Sequence, residues 1–292
     1  MLMATLREVA AGGNSRVFYG TERMTDSARV PASVAGPSVP CLGRIDHMRL
    51  VRLIGRGPQA AVYLAEDTMA GRRLAAKLLP ANLSNDGAEA GRLRRALVAA
   101  AHFSHSHVTG LRHLHAVWEA DSGARVLGVR EGSLVLVSDY IDGTDLRQWL
   151  ASRPPGPAPR AAVLRVFRQV AEALDAAHAY GVSHGALTAG NILIRADGEG
   201  FVSDLSASYE LRRSLRLMGT SARAAASPAV AEDVTADAPP APAEDVQAFA
   251  QLLVGALSGD LSAEGMERVH LADLSPAANE VLAAALSPDP SR

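Results

Sequence analysis

The chain has 29 lysines and arginines among its 292 residues, and Lys77 is the only lysine. It sits in the strand-like run RRLAAKLL, residues 72 to 79. If basic positions were free to be either type, the lone lysine would fall at any given one roughly one time in 29. A compact ammonium is not readily exchanged for a forked guanidinium in a tight phosphate site. Composition alone does not separate an anion contact from an ordinary solvated strand residue; the motifs around Lys77 decide between them. Other reactive types carry less. Cys41 is a single thiol with no internal partner. His102, His105 and His107 in AHFSHSHV lack metal-ligand spacing, and Arg212, Arg213 and Arg216 in SYELRRSLRLMG read as a solvated loop face in preference to a site for an acidic partner. The glycine-bearing GGNSRVFYG has no lysine-bearing strand directly downstream, so it is a decoy for a phosphate-cradling loop.

The elements that would position Lys77 follow from patterning. Residues 1 to 44 lack periodicity and hold Gly12-Gly13-Asn14 and Pro37-Ser38-Val39-Pro40, the marks of an extension or linker. RLVRLIG, AVYLAED and RRLAAKLL then read as an antiparallel meander with a turn at Met69-Ala70-Gly71. A helix over 87 to 103 and two further strands, LRHLHAVWE and SLVLVSDYI, complete five strands and one helix over 45–138. The remainder, 139–292, is mainly helical. Val163, Phe167, Val170, Leu174 and Ala177 recur at helical spacing after the breaker RPPGPAP. NILIRADGEGFVSDL folds back at Asp197-Gly198, and a helix follows over 243 to 257. The fold class is α+β in two lobes. The heavy alanine load implies closely packed helices.

Between these elements lies SHGALTAGNILI, Ser183 to Ile194, which has the cadence of H-R-D-x-K-x-x-N followed by an apolar strand. Gly55-Arg56-Gly57-Pro58-Gln59-Ala60-Ala61-Val62 matches G-x-G-x-x-G-x-V in part, Leu74-Ala75-Ala76-Lys77 matches V-A-x-K, and Ser203-Asp204-Leu205-Ser206 falls where D-F-G is expected. In this order, from about Asp46 to Arg292, the sequence resembles the bacterial Hanks-type Ser/Thr protein kinases. The resemblance implies MgATP as cofactor. Lys77 would contact phosphates, Asn191 and Asp204 would be the magnesium ligands, and Gly55 and Gly57 would belong to the phosphate loop. Val62, Ala75 and Leu193 would sandwich adenine, although core packing explains them equally well. SDYIDGTDLRQWL looks like the hinge, with Asp139 and Ile141, and AEDVQAFAQLLVG like the helix whose aspartate, Asp245, braces the catalytic loop.

The departures fall on catalysis. Ala186 stands where the family has the aspartate that orients the substrate hydroxyl, and Gly185 where it has the arginine that docks an activation-loop phosphate. Thr188 replaces the loop lysine, Ala96 the helix glutamate that would pair with Lys77, and Ala60 the third glycine. Pro58 removes a backbone N–H that could face a phosphate. Loss of a general base alone costs ~10²–10⁴ in rate.

These features lead to a degenerate, pseudokinase-like member that binds MgATP and acts through protein partners. An atypical, weakly active Ser/Thr kinase and an interaction module without nucleotide are the alternatives. A formal charge of −2 and a pI near 6.5 give no reason to expect nucleic acid as a partner. Arg7 and Glu8 interrupt any signal-peptide core, no window approaches a membrane span, and the chain reads as cytoplasmic.

Overall fold

The computed structural model describes residues 41–57, 60–83, 88–153, 159–223, 241–261 and 276–286. They divide into two compact units, 41–94 with 111–140 and 95–110 with 141–286.

The first unit is built on strands β1 (Gly43–Ile45), β2 (Met48–Arg56), β3 (Ala61–Asp67), β4 (Arg72–Leu78), β5 (Leu111–Ala116) and β6 (Leu134–Asp139). They form one antiparallel sheet in the order β1-β2-β3-β4-β6-β5. Period-2 alternation explains its two faces. In β4, Leu74, Ala76 and Leu78 are buried while Ala75 and Lys77 are half-buried. The buried set packs with Tyr63, Ala65, Val135 and Val137 in one core. The expected β3–β4 turn is present: Gly71 has φ +63°, and Asp67 Oδ1 accepts the Met69 and Ala70 amides, each at 3.0 Å.

Two features correct the expectation of five strands and one helix. Gly43 and Arg44, assigned to the N-terminal extension, belong to β1, a strand too short for periodicity to reveal. A short helix α2 (Ser122–Val126), capped by Asp121 Oδ1 on Ala124 N at 2.7 Å, packs against it. The approach needs glycine on both sides, because a Cβ at Gly43 would stand 2.2 Å from Ala124 N and one at Gly123 2.4 Å from Leu42 O. Helix α1 (Ala88–His102) lies where the sequence places it, and the division between units falls inside it, after Arg94.

The second unit is mainly helical: α3 (Leu146–Ala151), α4 (Arg160–Ala179), α5 (Ala207–Arg223), α6 (Pro242–Ser258) and α7 (Pro276–Leu286). A small sheet of β7 (Gly143–Asp145), β8 (Ile192–Arg195) and β9 (Gly200–Val202) accompanies them, with the expected turn at Gly198, φ +82°. All five predicted apolar positions of α4 are fully buried, and Phe167 meets Phe249 of α6 edge to face with centroids 5.3 Å apart. Ala171, Ala173 and Ala177 let the neighbours of α4 approach closely. Helix α6 starts on Pro242 and stops at Gly259, φ +77°. Arg212, Arg213 and Arg216 lie on α5 and not in a loop. Buried Ala207, Leu211 and Ser214 give that helix an inner face which the run of arginines obscures in the sequence.

Candidate functional site

The loop from Ser183 to Asn191 is organised by one carboxylate in the first turn of α6. Asp245 is 1 % exposed; its Oδ2 accepts the His184 N–H at 2.7 Å and meets His178 Nε2 at 2.8 Å, and its Oδ1 accepts the Gly185 N–H at 2.8 Å. His184 is itself fully buried. Its Nδ1 accepts the Ala186 N–H at 3.2 Å, which leaves Nε2 to donate to Ser203 O at 3.0 Å and so assigns the tautomer. Burial holds this imidazole below the usual histidine range, against the opposing pull of Asp245 and the Ser203 carbonyl.

Gly185 has φ +67°, a left-handed conformation that disfavours a side chain. Its carbonyl accepts Arg212 Nη2 from α5 at 3.1 Å. Ala186 presents a buried methyl, and its carbonyl accepts Asn191 Nδ2 at 2.9 Å. The amide oxygen of Asn191 is thereby turned from that contact. Ser203 donates its N–H at 2.9 Å and its hydroxyl at 3.2 Å to the Asn191 carbonyl, so the residue before Asp204 is tied to Asn191.

Asp204 and Ser206 are non-glycine residues at φ +60° and +57°, a sparsely populated conformation that surrounding bonds must sustain. Ser206 Oγ donates to Ser183 O at 2.5 Å, and Ser208 Oγ donates to Asp204 Oδ2 at 3.0 Å. Asn191 and Asp204 supply one amide and one carboxylate oxygen. That hard-oxygen pair fits magnesium, which takes one or two protein ligands and completes its shell with phosphate and water. Among the described residues no group of three or more His, Cys, Asp or Glu could hold a metal by itself.

In the first unit, Gly55, Val62, Lys77 and Leu136 are successive cross-strand partners on one rung of the sheet. Directly opposed residues share a face. Three predicted positions therefore lie side by side, with Ala75 two residues along the same face of β4. Gly57 gives its N–H to Ala60 O at 2.9 Å; Pro58 lies outside the described residues. Asp139 is opposite Leu74, on the other face from Lys77, and its carboxylate is gripped by Arg112, Nε to Oδ1 at 2.8 Å and Nη2 to Oδ2 at 3.0 Å. Half-buried Ile141 and Leu193, with Asn191 and Asp204, belong to the second unit. Leu193 sits between Asp145 and Phe201 in the small sheet. Ala96, on α1, offers a methyl and no carboxylate.

Sequence reading missed two contributors. His178 near the end of α4 has an ordinary interpretation as a cation at a helix C-terminus, yet it completes the set of donors on Asp245. Arg212 is held on the Gly185 carbonyl and is not part of a solvated loop face; its spacing from buried Ala207 and Leu211 is the available signal.

The family model described as protein kinase domain matches residues 48–272. The chain is 31% identical over 166 residues to the probable serine/threonine-protein kinase PknB of Lactococcus lactis, covering 56% of this chain and 24% of that protein. It is 35% identical over 156 residues to serine/threonine-protein kinase PknE of Mycobacterium tuberculosis, covering 53% and 25%. It thus spans about a quarter of the length of these relatives. The crystal structure of the Mycobacterium tuberculosis PknI kinase domain has the same fold, with a TM-score of 0.59, 22% identity, and coverage of 87% of this chain and 93% of that one.

Proposed function

Since this chain belongs to the protein kinase domain family, we propose that it is a pseudokinase: a kinase fold that binds MgATP and acts through protein partners as a signalling scaffold or regulator. The observation that carries this reading is the contrast at one loop. Asp245, His184, His178 and Asn191 hold the loop in a bonded arrangement, while the position that would orient a hydroxyl is the methyl of Ala186.

Each residue has an assigned task. Lys77, from the half-exposed face of β4, neutralises phosphate oxygens, with Gly55 and Gly57 at the adjoining turn. Val62, Ala75, Ile141 and Leu193 provide apolar surface for the adenine, and Asp139 fixes the end of β6 through Arg112. Asn191 and Asp204 hold the magnesium, which supplies charge neutralisation on the phosphates when bound. No residue of the loop can accept the proton of an attacking hydroxyl, since the imidazole of His184 is buried and bonded at both nitrogens. A cytoplasmic setting belongs to the same reading. Among the described residues no helix is long and apolar enough to cross a membrane.

Calorimetry with MgATP, run beside a phosphotransfer assay, tests it. Heat that depends on magnesium, with no labelled phosphate incorporated, is expected. Absence of heat at millimolar ATP replaces the reading with that of an interaction module without nucleotide. Incorporation that vanishes in Lys77→Met favours the second reading, an atypical kinase, for which the intact bracing of the loop by Asp245 speaks.

A further inference from the structure

Away from the loop, the second unit has an open cleft of about 1030 Å³ lined by Asp142, Trp149, Arg153, Arg165, Arg195 and Asp197, among others. That volume stands at the top of the range for ligand pockets, ~300–1,000 Å³. Its three arginines differ in what they already hold. Arg195 is committed, with Nη2 donating to Asp197 Oδ2 at 2.5 Å and to Glu199 Oε2 at 2.6 Å.

Arg153 and Arg165 are not so engaged. The Arg153 guanidinium lies over the Trp149 ring, 3.8 Å from its centroid, and its Nε–H is buried without an acceptor among the described residues. A buried donor left unmet is costly, so this guanidinium gains by turning towards an acceptor. Arg165 is exposed on the first half of α4, with its Nη1 beside Gly198 at the β8–β9 turn, and it makes no ion pair among the described residues.

We propose that this cleft docks an extended peptide segment of a protein partner that carries glutamate or aspartate. The carboxylate pairs with Arg165 and Arg153, and a neighbouring apolar residue of the peptide lies against Trp149. Planar guanidinium forks match a carboxylate bidentately, and an aromatic ring offers apolar contact at low entropic cost. The charge balance selects a carboxylate over a phosphate, because Arg153, Arg165 and Arg195 against Asp142 and Asp197 leave the cleft one net positive charge, which one carboxylate neutralises and a dianionic phosphate exceeds. None of these residues is assigned to nucleotide or metal. The proposal therefore does not rest on the nucleotide reading, and its test contains no nucleotide.

The two tryptophans, Trp118 and Trp149, give two indole N–H signals in tryptophan-labelled protein, assigned with Trp118→Phe. The probe is the capped peptide Glu-Leu-Glu-Leu-Glu, with the same peptide carrying glutamine, and a version carrying phosphoserine, in place of glutamate. Saturable displacement of the Trp149 signal by the glutamate peptide is expected, with the Trp118 signal unmoved and no response to the glutamine peptide. Arg165→Gln weakens binding about tenfold or more, the size of a lost charge-assisted bond. Arg168→Gln is the charge-matched control on the same helix, exposed and 3.9 Å from Glu172, and leaves binding unchanged. No displacement, an equal response to the glutamine peptide, a response to the phosphoserine peptide alone, or equal weakening by Arg168→Gln each overturns the proposal.

Discussion

Ser208 donates its hydroxyl to Asp204 Oδ2 over 3.0 Å, so the carboxylate assigned to magnesium already has a partner four residues on. A metal that takes this oxygen competes with the hydroxyl. Hydrogen bonds to charged groups contribute ~1.5–3 kcal/mol. Ser208→Ala is expected to tighten magnesium-dependent nucleotide binding by several-fold, read by calorimetry at fixed ATP over a magnesium series. Weaker binding instead would mean that Ser208 orients the ligand and does not compete with the metal.

Asp245 takes three donors on one buried carboxylate. Asp245→Asn turns one acceptor into a donor facing other donors and leaves buried N–H groups unmet, at ~1–3 kcal/mol each. A loss of about 2–4 kcal/mol in urea unfolding is expected. A loss below ~0.5 kcal/mol would show that the loop does not depend on this brace.

The buried imidazole of His184 titrates below its unfolded value of about 6.5. Between the two values the unfolded chain binds the extra proton, so stability rises with pH there. The contribution is full above about pH 6.5 and declines as pH falls towards the folded value. The urea midpoint should drop between pH 7 and pH 5. His184→Asn, whose amide oxygen can accept the Ala186 N–H, should flatten that dependence. An unchanged slope in the variant would assign the effect to other groups, such as His105 and His113, which burial also lowers.

Restoring one carboxylate should not restore a kinase. A general base supplies ~3–5 kcal/mol, whereas orientation of reactants accounts for ~7–11 kcal/mol. Ala186→Asp still lacks the glutamate at position 96, the loop lysine and the third glycine. It is expected to show negligible phosphotransfer, and the double change with Ala96→Glu more than the single. Turnover of the single variant at ~1 s⁻¹, inside the usual kinase range, would mean that the site needs only its base.

The sequence by itself determined the strands that carry Lys77, the helix α4 and the turn at Asp197-Gly198. Each is a local signal: alternation, a 3.6-residue stripe, or a residue pair suited to one turn. It also identified Ala186, because the type of a residue is visible without its neighbours. Tertiary structure decided what the side chains do to one another. The carboxylate of Asp245 lies 60 or more positions from the amides and imidazole that it gathers, and no periodicity links partners so distant. Arginine-rich α5 became legible as a helix only with Leu211 and Ser214 against a packed surface and Arg212 on the Gly185 carbonyl. The extra strand β1 needed the glycine contact of Gly43 with Gly123, a fit between backbones that three residues of sequence cannot announce.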